Sequence, residues 1–345
     1  MGTTIRQISE ITGYSPATVS KALNNKGGVN SGTSDVIVKT AKKMGYFQET
    51  DDKIKRVRLI VYKNYGLNID EIQFFPLMVD GFQKECQRQG IEVVVSYLDR
   101  RAEDFELQLQ KLGEDRNTPV VITGTEIMEQ DLRYLKNLQC PMLMMDYWHE
   151  SMEFSGVLTD NEDAMERAVD YLVSKGHGEI GYLKGDFRIM AFRSREFGYW
   201  RGMGKHNLTV DRQYTVELPV TMDGACQNMK RYLEAGPKLP TAFVADNDII
   251  ALGAMKAMQE SGIAVPDDVS VIGFDDMPFS AITIPGLTSM RTSKETMGKL
   301  AVKRIIELQC EKSAVRTKTL VCPELVERDS VKNINERQEE VRWQI

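Results

Sequence analysis

The sequence predicts an N-terminal all-α helix-turn-helix headpiece followed by an α/β body of two doubly wound parallel-sheet lobes. Three observations carry this expectation. Two short helical patterns joined by a glycine turn open the chain within residues 4–25. From Arg58 onward, apolar β-rich runs alternate with helical stretches. Charge is also divided unevenly: residues 1–58 hold ten Lys and Arg against five Asp and Glu (+5), and the remainder holds 34 against 45 (−11), within a net charge of −6. A basic head on an acidic body is expected when one domain meets phosphate and the other does not.

The opening stretch is TIRQISEITGYSPATVSKALNN. Thr4 and Gln7 have the spacing of a capping box, in which each side chain satisfies an orphan backbone donor. Ile5, Ile8 and Ile11 recur at helical spacing, and Gly13 ends the helix in the left-handed conformation that glycine adopts most cheaply. Ser15 caps a second helix, with Pro16 in its first turn, where its missing N–H is not needed. Val19 and Leu23 face inward, so Ala17, Thr18, Ser20, Lys21 and Asn24 lie outside that seam. A third helix over about Thr33–Met44 has Val36, Ile37, Thr40, Ala41 and Met44 as its inner stripe. A helical hairpin alone would not indicate DNA binding; the third helix and the local positive charge do.

In the body, strands are expected at 58–62, 91–97, 119–124, 141–146, 179–185, 241–246 and 269–276, with helices between them. More strands than one compact sheet holds argue two lobes, with a crossover near Thr159–Glu162. Acids and amides stand where strands end: Asp146, Asp246-Asn247-Asp248 and Asp275-Asp276. Ligands bind beyond such carboxyl ends in open α/β sheets. Acids there also cap following helices, and Asp248 is expected to do so. No apolar run is long enough to span a membrane, and no signal-peptide pattern opens the chain, so a cytoplasmic protein is expected. Five scattered cysteines without a C-x-x-C pair suit a reducing compartment. Three isolated histidines, with no phosphate-binding glycine loop and no nucleophile elbow, predict no enzyme, metal or cofactor.

The headpiece pattern, with A-T-V-S followed by a basic residue and Leu-Asn-Asn, then VNSGTS and KKMGY, resembles the LacI/GalR family of bacterial repressors. The likeness continues through CPMLMMD, TDNEDAMERAVDYLVSKGHGEIGYLKG, RSREFGYWRGM, AFVADNDIIALGAMKAM, VPDDVSVIGFDD and CPELVERDS. It implies a periplasmic-binding-protein-like core. The expected division is a headpiece at 1–46, a linker at 47–57 and a core at 58–345. Within the core, the first lobe takes about 58–160 plus about 292–322, and the second about 161–291 plus about 323–345. The resemblance implies DNA contacts from Ile5, Arg6, Ser15, Pro16, Ala17, Thr18, Ser20, Lys21, Asn24 and Thr33. It implies effector contacts from Asp146, Arg195, Asn247 and Asp275, with Phe74 or Phe75 as an apolar wall.

Two departures stand out. Family members carry a proline, an Ala-Arg pair and a leucine in the linker, whereas YFQETDDKIKRV has none of these. Many also carry an arginine after the aspartate matched by Asp146, where Tyr147 stands here. The expected function is a repressor of a carbohydrate-use operon. Its partners are double-stranded operator DNA, a mono- or disaccharide or derivative as effector, and a second copy in a homodimer. Left open are a sugar sensor without DNA binding, a purine or other metabolite as effector, and induction versus co-repression.

Overall fold

The computed structural model describes residues 3–23, 29–44, 54–65, 74–147, 149, 154–310 and 315–335. Asn24, linker residues 47–53, and the side chains of Phe74 and Phe75 lie outside the described residues. The chain divides into two compact units, Met1–Ile54 and Lys55–Ile345.

The first unit has three helices, α1 (Ile5–Thr12), α2 (Pro16–Leu23) and α3 (Ser31–Lys43). Thr4 Oγ1 accepts the Gln7 N–H at 3.3 Å, and Gln7 Oε1 accepts the Thr4 N–H at 2.8 Å, completing the capping box. Gly13 stands at φ 71° and donates its N–H to the Ser9 carbonyl at 2.9 Å. Ser15 Oγ accepts the Thr18 N–H, and Asn30 caps α3 by accepting the Thr33 N–H. Ile8, Val19, Ala22, Ile37 and Ala41 form the core. Two expected inner residues are outside it: Ile11 is 64% exposed and Val36 49%. At 100° per residue, a run of i, i+3 and i+6 drifts about 120° from first to last, so Ile11 has rotated off the face that Ile8 buries. Ile37 and Ala41 define the buried line of α3, and Val36 is one residue off it.

In the second unit, the chain first lays down β1 (Arg56–Lys63), α4 (Phe74–Arg88), β2 (Glu92–Asp99), α5 (Phe105–Glu114), β3 (Val120–Thr123), α6 (Leu132–Leu135), β4 (Met142–Met145) and β5 (Ser155–Thr159). It then crosses into α7 (Asn161–Ser174), β6 (Ile180–Gly185), α8 (Met190–Lys205), β7 (Thr215–Leu218), α9 (Met222–Glu234), β8 (Ala242–Ala245), α10 (Asp248–Glu260), β9 (Ser270–Asp275) and β10 (Thr288–Arg291). It returns through α11 (Lys294–Cys310) and β11 (Lys318–Val321) and crosses again into β12 (Glu324–Val326). The first sheet runs β11-β5-β4-β3-β1-β2, all parallel. The second runs β12-β10-β9-β8-β6-β7, parallel except at β10–β12.

The central strands of each sheet are buried on both faces, which is why they read as continuous apolar runs. Ile60 and Tyr62 of β1 join Phe105 and Leu112 of α5 and Leu132 and Leu135 of α6 in one core. Tyr182, Val244, Ile272 and Phe274 meet Met165, Val169 and Leu172 of α7 and Tyr199 of α8 in the other. Strands β5, β7, β10, β11 and β12 and helix α11 escaped the sequence reading. Strand β10 is TSMR, whose buried Thr288 and Ser289 are satisfied by Arg328 and Asp248 rather than by apolar neighbours.

Helices α4 and α11 pack backbone to backbone. A Cβ on Gly298 would lie 2.4 Å from the Phe82 nitrogen, and one on Gly81 would lie 2.8 Å from Glu295 Cα. We expect Gly298→Ala to push the helices apart and cost about 1–3 kcal/mol, read as a lower urea midpoint. An unchanged midpoint would mean the helices are not so closely packed.

Candidate functional site

The outward face of the headpiece is built from the ends of α1 and α2. Arg6, Ser15, Pro16, Ala17 and Lys21 are exposed, and Ile5, Thr18, Ser20 and Thr33 are half-buried. The Ser15 hydroxyl is already engaged, capping α2 and meeting Thr18 Oγ1 at 2.8 Å. Its remaining capacity and the exposed Lys21 ammonium make this a small, basic surface with few side-chain donors.

In the larger unit, carboxyl ends of strands from both lobes converge on a buried network centred on Arg195 of α8. This guanidinium is only 4% exposed. Nε donates to Asn161 Oδ1 at 2.8 Å, one terminal nitrogen donates to the Asp246 carbonyl, and the other meets Asp275 Oδ1 at 3.1 Å. Its Cζ lies 3.7 Å from the centre of the Phe274 ring. Arg195 and Asp275 are thus brought together, with Asp275 at the end of β9 in a left-handed conformation (φ 101°).

Asp146 follows β4, also left-handed (φ 57°), and accepts from Thr125 Oγ1 at 2.7 Å. Burial raises its carboxyl to about 6; the Thr125 hydrogen bond and the Arg195 and Lys294 charges pull it down, while the Asp275 charge pushes it up. Lys294, the first residue of α11, donates from Nζ to the Asp275 carbonyl at 2.6 Å. Burial lowers its own pKa against the opposing pull of Asp275 and Asp248. Two acids and two bases from four elements therefore share one low-dielectric site.

The Asp246-Asn247-Asp248 run sorts differently from expectation. Asn247, not Asp248, caps α10, its Oδ1 accepting the Ile250 N–H at 3.0 Å. Asn247 is in the extended conformation that a cap requires, and Asp248 is already the first helical residue. Asp248 is fully buried and accepts from Ser289 Oγ, Ser280 Oγ and the Met277 N–H. Burial raises its carboxyl to about 7. Asp246 accepts from Tyr182 Oη, the Gly185 N–H and Arg188.

Sequence reasoning missed Asn161, Thr125 and Lys294. Lys294 had a signal: a lysine at the first position of a helix opposes the helix dipole, so a tertiary partner must hold it there.

Two cavities flank this network. One of about 180 Å³ is lined by Asp146, Thr159, Asn161, Met190 and Ser194 among others. The other, about 870 Å³, lies between Ile127–Lys136, Tyr147 and His149 of the first lobe and Arg188, Met190 and Arg193 of the second. Tyr65 and Phe187 stack across the lobes, with centroids 5.4 Å apart. A cleft of this size, with convergent polar groups, suits a small polar molecule.

Residues 169–331 match the periplasmic binding protein-like domain. The chain is 27% identical over 339 residues to the HTH-type transcriptional repressor PurR of Vibrio campbellii, covering 96% of this chain and 99% of that protein. It is equally identical over 341 residues to the probable HTH-type transcriptional repressor ExuR of Bacillus subtilis, with the same coverage. In fold it is similar to a transcriptional regulator CelR–cellobiose complex (TM-score 0.70, 20% identity, 95% and 99% of the two chains). It is likewise similar to the lac repressor dimer bound to operator and the anti-inducer ONPF (TM-score 0.70, 24% identity, 96% and 100%).

The raised Asp146 carboxyl has a stability consequence. Folding lifts it from 3.8 to about 6, so the folded state binds the proton better than the unfolded chain. Its charge therefore costs stability above pH 6, and the cost fades as pH falls from about 6 to about 4. We expect Asp146→Asn to stabilise the ligand-free protein by about 1–3 kcal/mol at pH 7.5 and by roughly half as much at pH 5. Calorimetric melts at the two pH values check this; equal gains at both would remove the buried charge as the cause.

Proposed function

We propose that this chain is a helix-turn-helix transcriptional repressor of the LacI/GalR family, and that a sugar-like effector held between the two core lobes sets its affinity for an operator. The protein acts as a homodimer in the cytoplasm, each headpiece engaging one half of a two-fold site. The observation that carries this reading is the Arg195 network, which joins the interlobe crossover at Asn161 to Asp275 and acts through its charge on Asp146, together with the basic helix-turn-helix of the smaller unit. A ligand whose hydroxyls bond Asp146, Asp275 and Asn161 binds the closed arrangement of the lobes more tightly than the open one. Only such differential affinity lets an effector shift an equilibrium.

At the headpiece, Pro16 and Ala17 offer no side-chain hydrogen bond. Base reading then rests on apolar contact with thymine methyls, on Lys21 to guanine and on Arg6. Ile5, Ser15, Thr18, Ser20, Asn24 and Thr33 serve backbone and register. The relatives named PurR favour a second reading, with a purine as effector. Cellobiose in the CelR complex supports the sugar.

The operator is recovered by selecting genomic fragments on the purified full-length protein, followed by footprinting. Lys21→Ala should weaken that footprint roughly tenfold, about 1–2 kcal/mol, with a shallower salt dependence. Retained affinity and slope would remove Lys21 from the interface. A thermal-shift panel of sugars and nucleobases then separates the two effector readings, since a tight ligand in excess raises the melting temperature.

A further inference from the structure

The larger interlobe cavity carries a charge pattern that a neutral sugar does not explain. Its described lining brings Arg133 and Lys136 from the first lobe and Arg188 and Arg193 from the second, against Glu129 as the one carboxylate. Glu129 is itself drawn to His149, 3.3 Å away. Arg133 is steadied by the Tyr134 hydroxyl at 2.8 Å, and Arg188 is held by Asp246 and Glu196. Arg193 is exposed, with no partner for its guanidinium among the described residues.

Helix α8 adds to this. It begins at Met190 on the cavity wall, has no side-chain cap and carries no acid in its first turn, so its free N–H groups are available to an anion.

We propose that this cavity receives an anionic group, making the effector an acidic sugar derivative, either a sugar phosphate or a sugar carboxylate. The proposal rests on the reading of the cleft as the effector site and deepens it. An acceptor placed between Arg133 on one wall and Arg193 on the other bridges the two lobes, with Lys136 and the carboxylate-paired Arg188 adding positive charge to the same lining. Asp146 and Asn161 in the adjoining smaller cavity take the sugar hydroxyls.

The test titrates the full-length protein by calorimetry with matched sets, each a neutral hexose, its 6-phosphate and its uronic acid, alongside nucleobases. In the set that binds, an anionic member should exceed its neutral parent at least tenfold, and its affinity should fall as salt screens the charges. Whether the phosphate or the uronate wins assigns the source of the charge. Arg193→Gln, at an exposed position with little risk to folding, should shrink the ratio toward one. A neutral hexose binding as tightly as its anionic partners would overturn this inference and leave the sugar effector in place. A nucleobase hit with every sugar silent would overturn both.

Discussion

A guanidinium taken almost wholly out of water must be paired on every side, and Arg195 sets the plan of the core by this requirement. An uncompensated charge in that setting would cost several kcal/mol. Its partners come from the α7 start, the β8 exit and the β9 exit, so satisfying one side chain fixes three chain segments at once. Asp275 brings its own demand, met by Arg195 and, through its backbone carbonyl, by Lys294 of α11. Because α11 packs on α4 in the first lobe, the charge balance of the second lobe is tied to the packing of the first. Asp146 completes the set with a carboxyl that burial makes easy to protonate.

The same economy explains the left-handed aspartates. Asp146, Asp275 and Asp276 all stand at positive φ where the chain leaves a strand. A short polar side chain tolerates that conformation better than a branched apolar one. The turn aims the carboxylate back across the strand end instead of along the next helix. Asp276 shows the structural use of this geometry, with Arg291 and Arg328 on its two oxygens. Asp275 uses it toward the cleft. Neighbouring residues with one backbone habit thus serve the fold and the site separately.

Much of this was legible in the sequence because it is local. The capping box at Thr4 and Gln7, the Gly13 stop and the Ser15 cap are decided within a few residues, and buried parallel strands announce themselves by unbroken apolar runs. What escaped depended on distant partners. Strand β10 reads as polar because its hydroxyls are satisfied by Asp248 and by the Arg328 backbone N–H, 40 residues further on. Asn247 and Asp248 are both good caps, and the choice between them was made by Ser280 and Ser289, which give Asp248 a buried role that Asn247 lacks. The cleft acids were visible as strand-end residues. Lys294 was not, since its partner is a backbone carbonyl 19 residues away in sequence that only the crossover brings near.

The distribution of charge across the molecule follows the same logic at a larger scale. The headpiece is basic and the body acidic, so the long-range field orients the headpiece toward DNA and keeps the core off it. Within that acidic body, the interlobe cavity is a local exception, lined by Arg133, Lys136, Arg188 and Arg193. Cations spread over an acidic surface would be neutralised by their neighbours at little gain. Gathered on two walls of a cleft with low-dielectric surroundings, they act on whatever enters between them far more strongly than in open water. In the proposed mechanism an anion there favours the closed lobes over the open ones, so that ligand charge, lobe closure and operator affinity are successive links of one equilibrium.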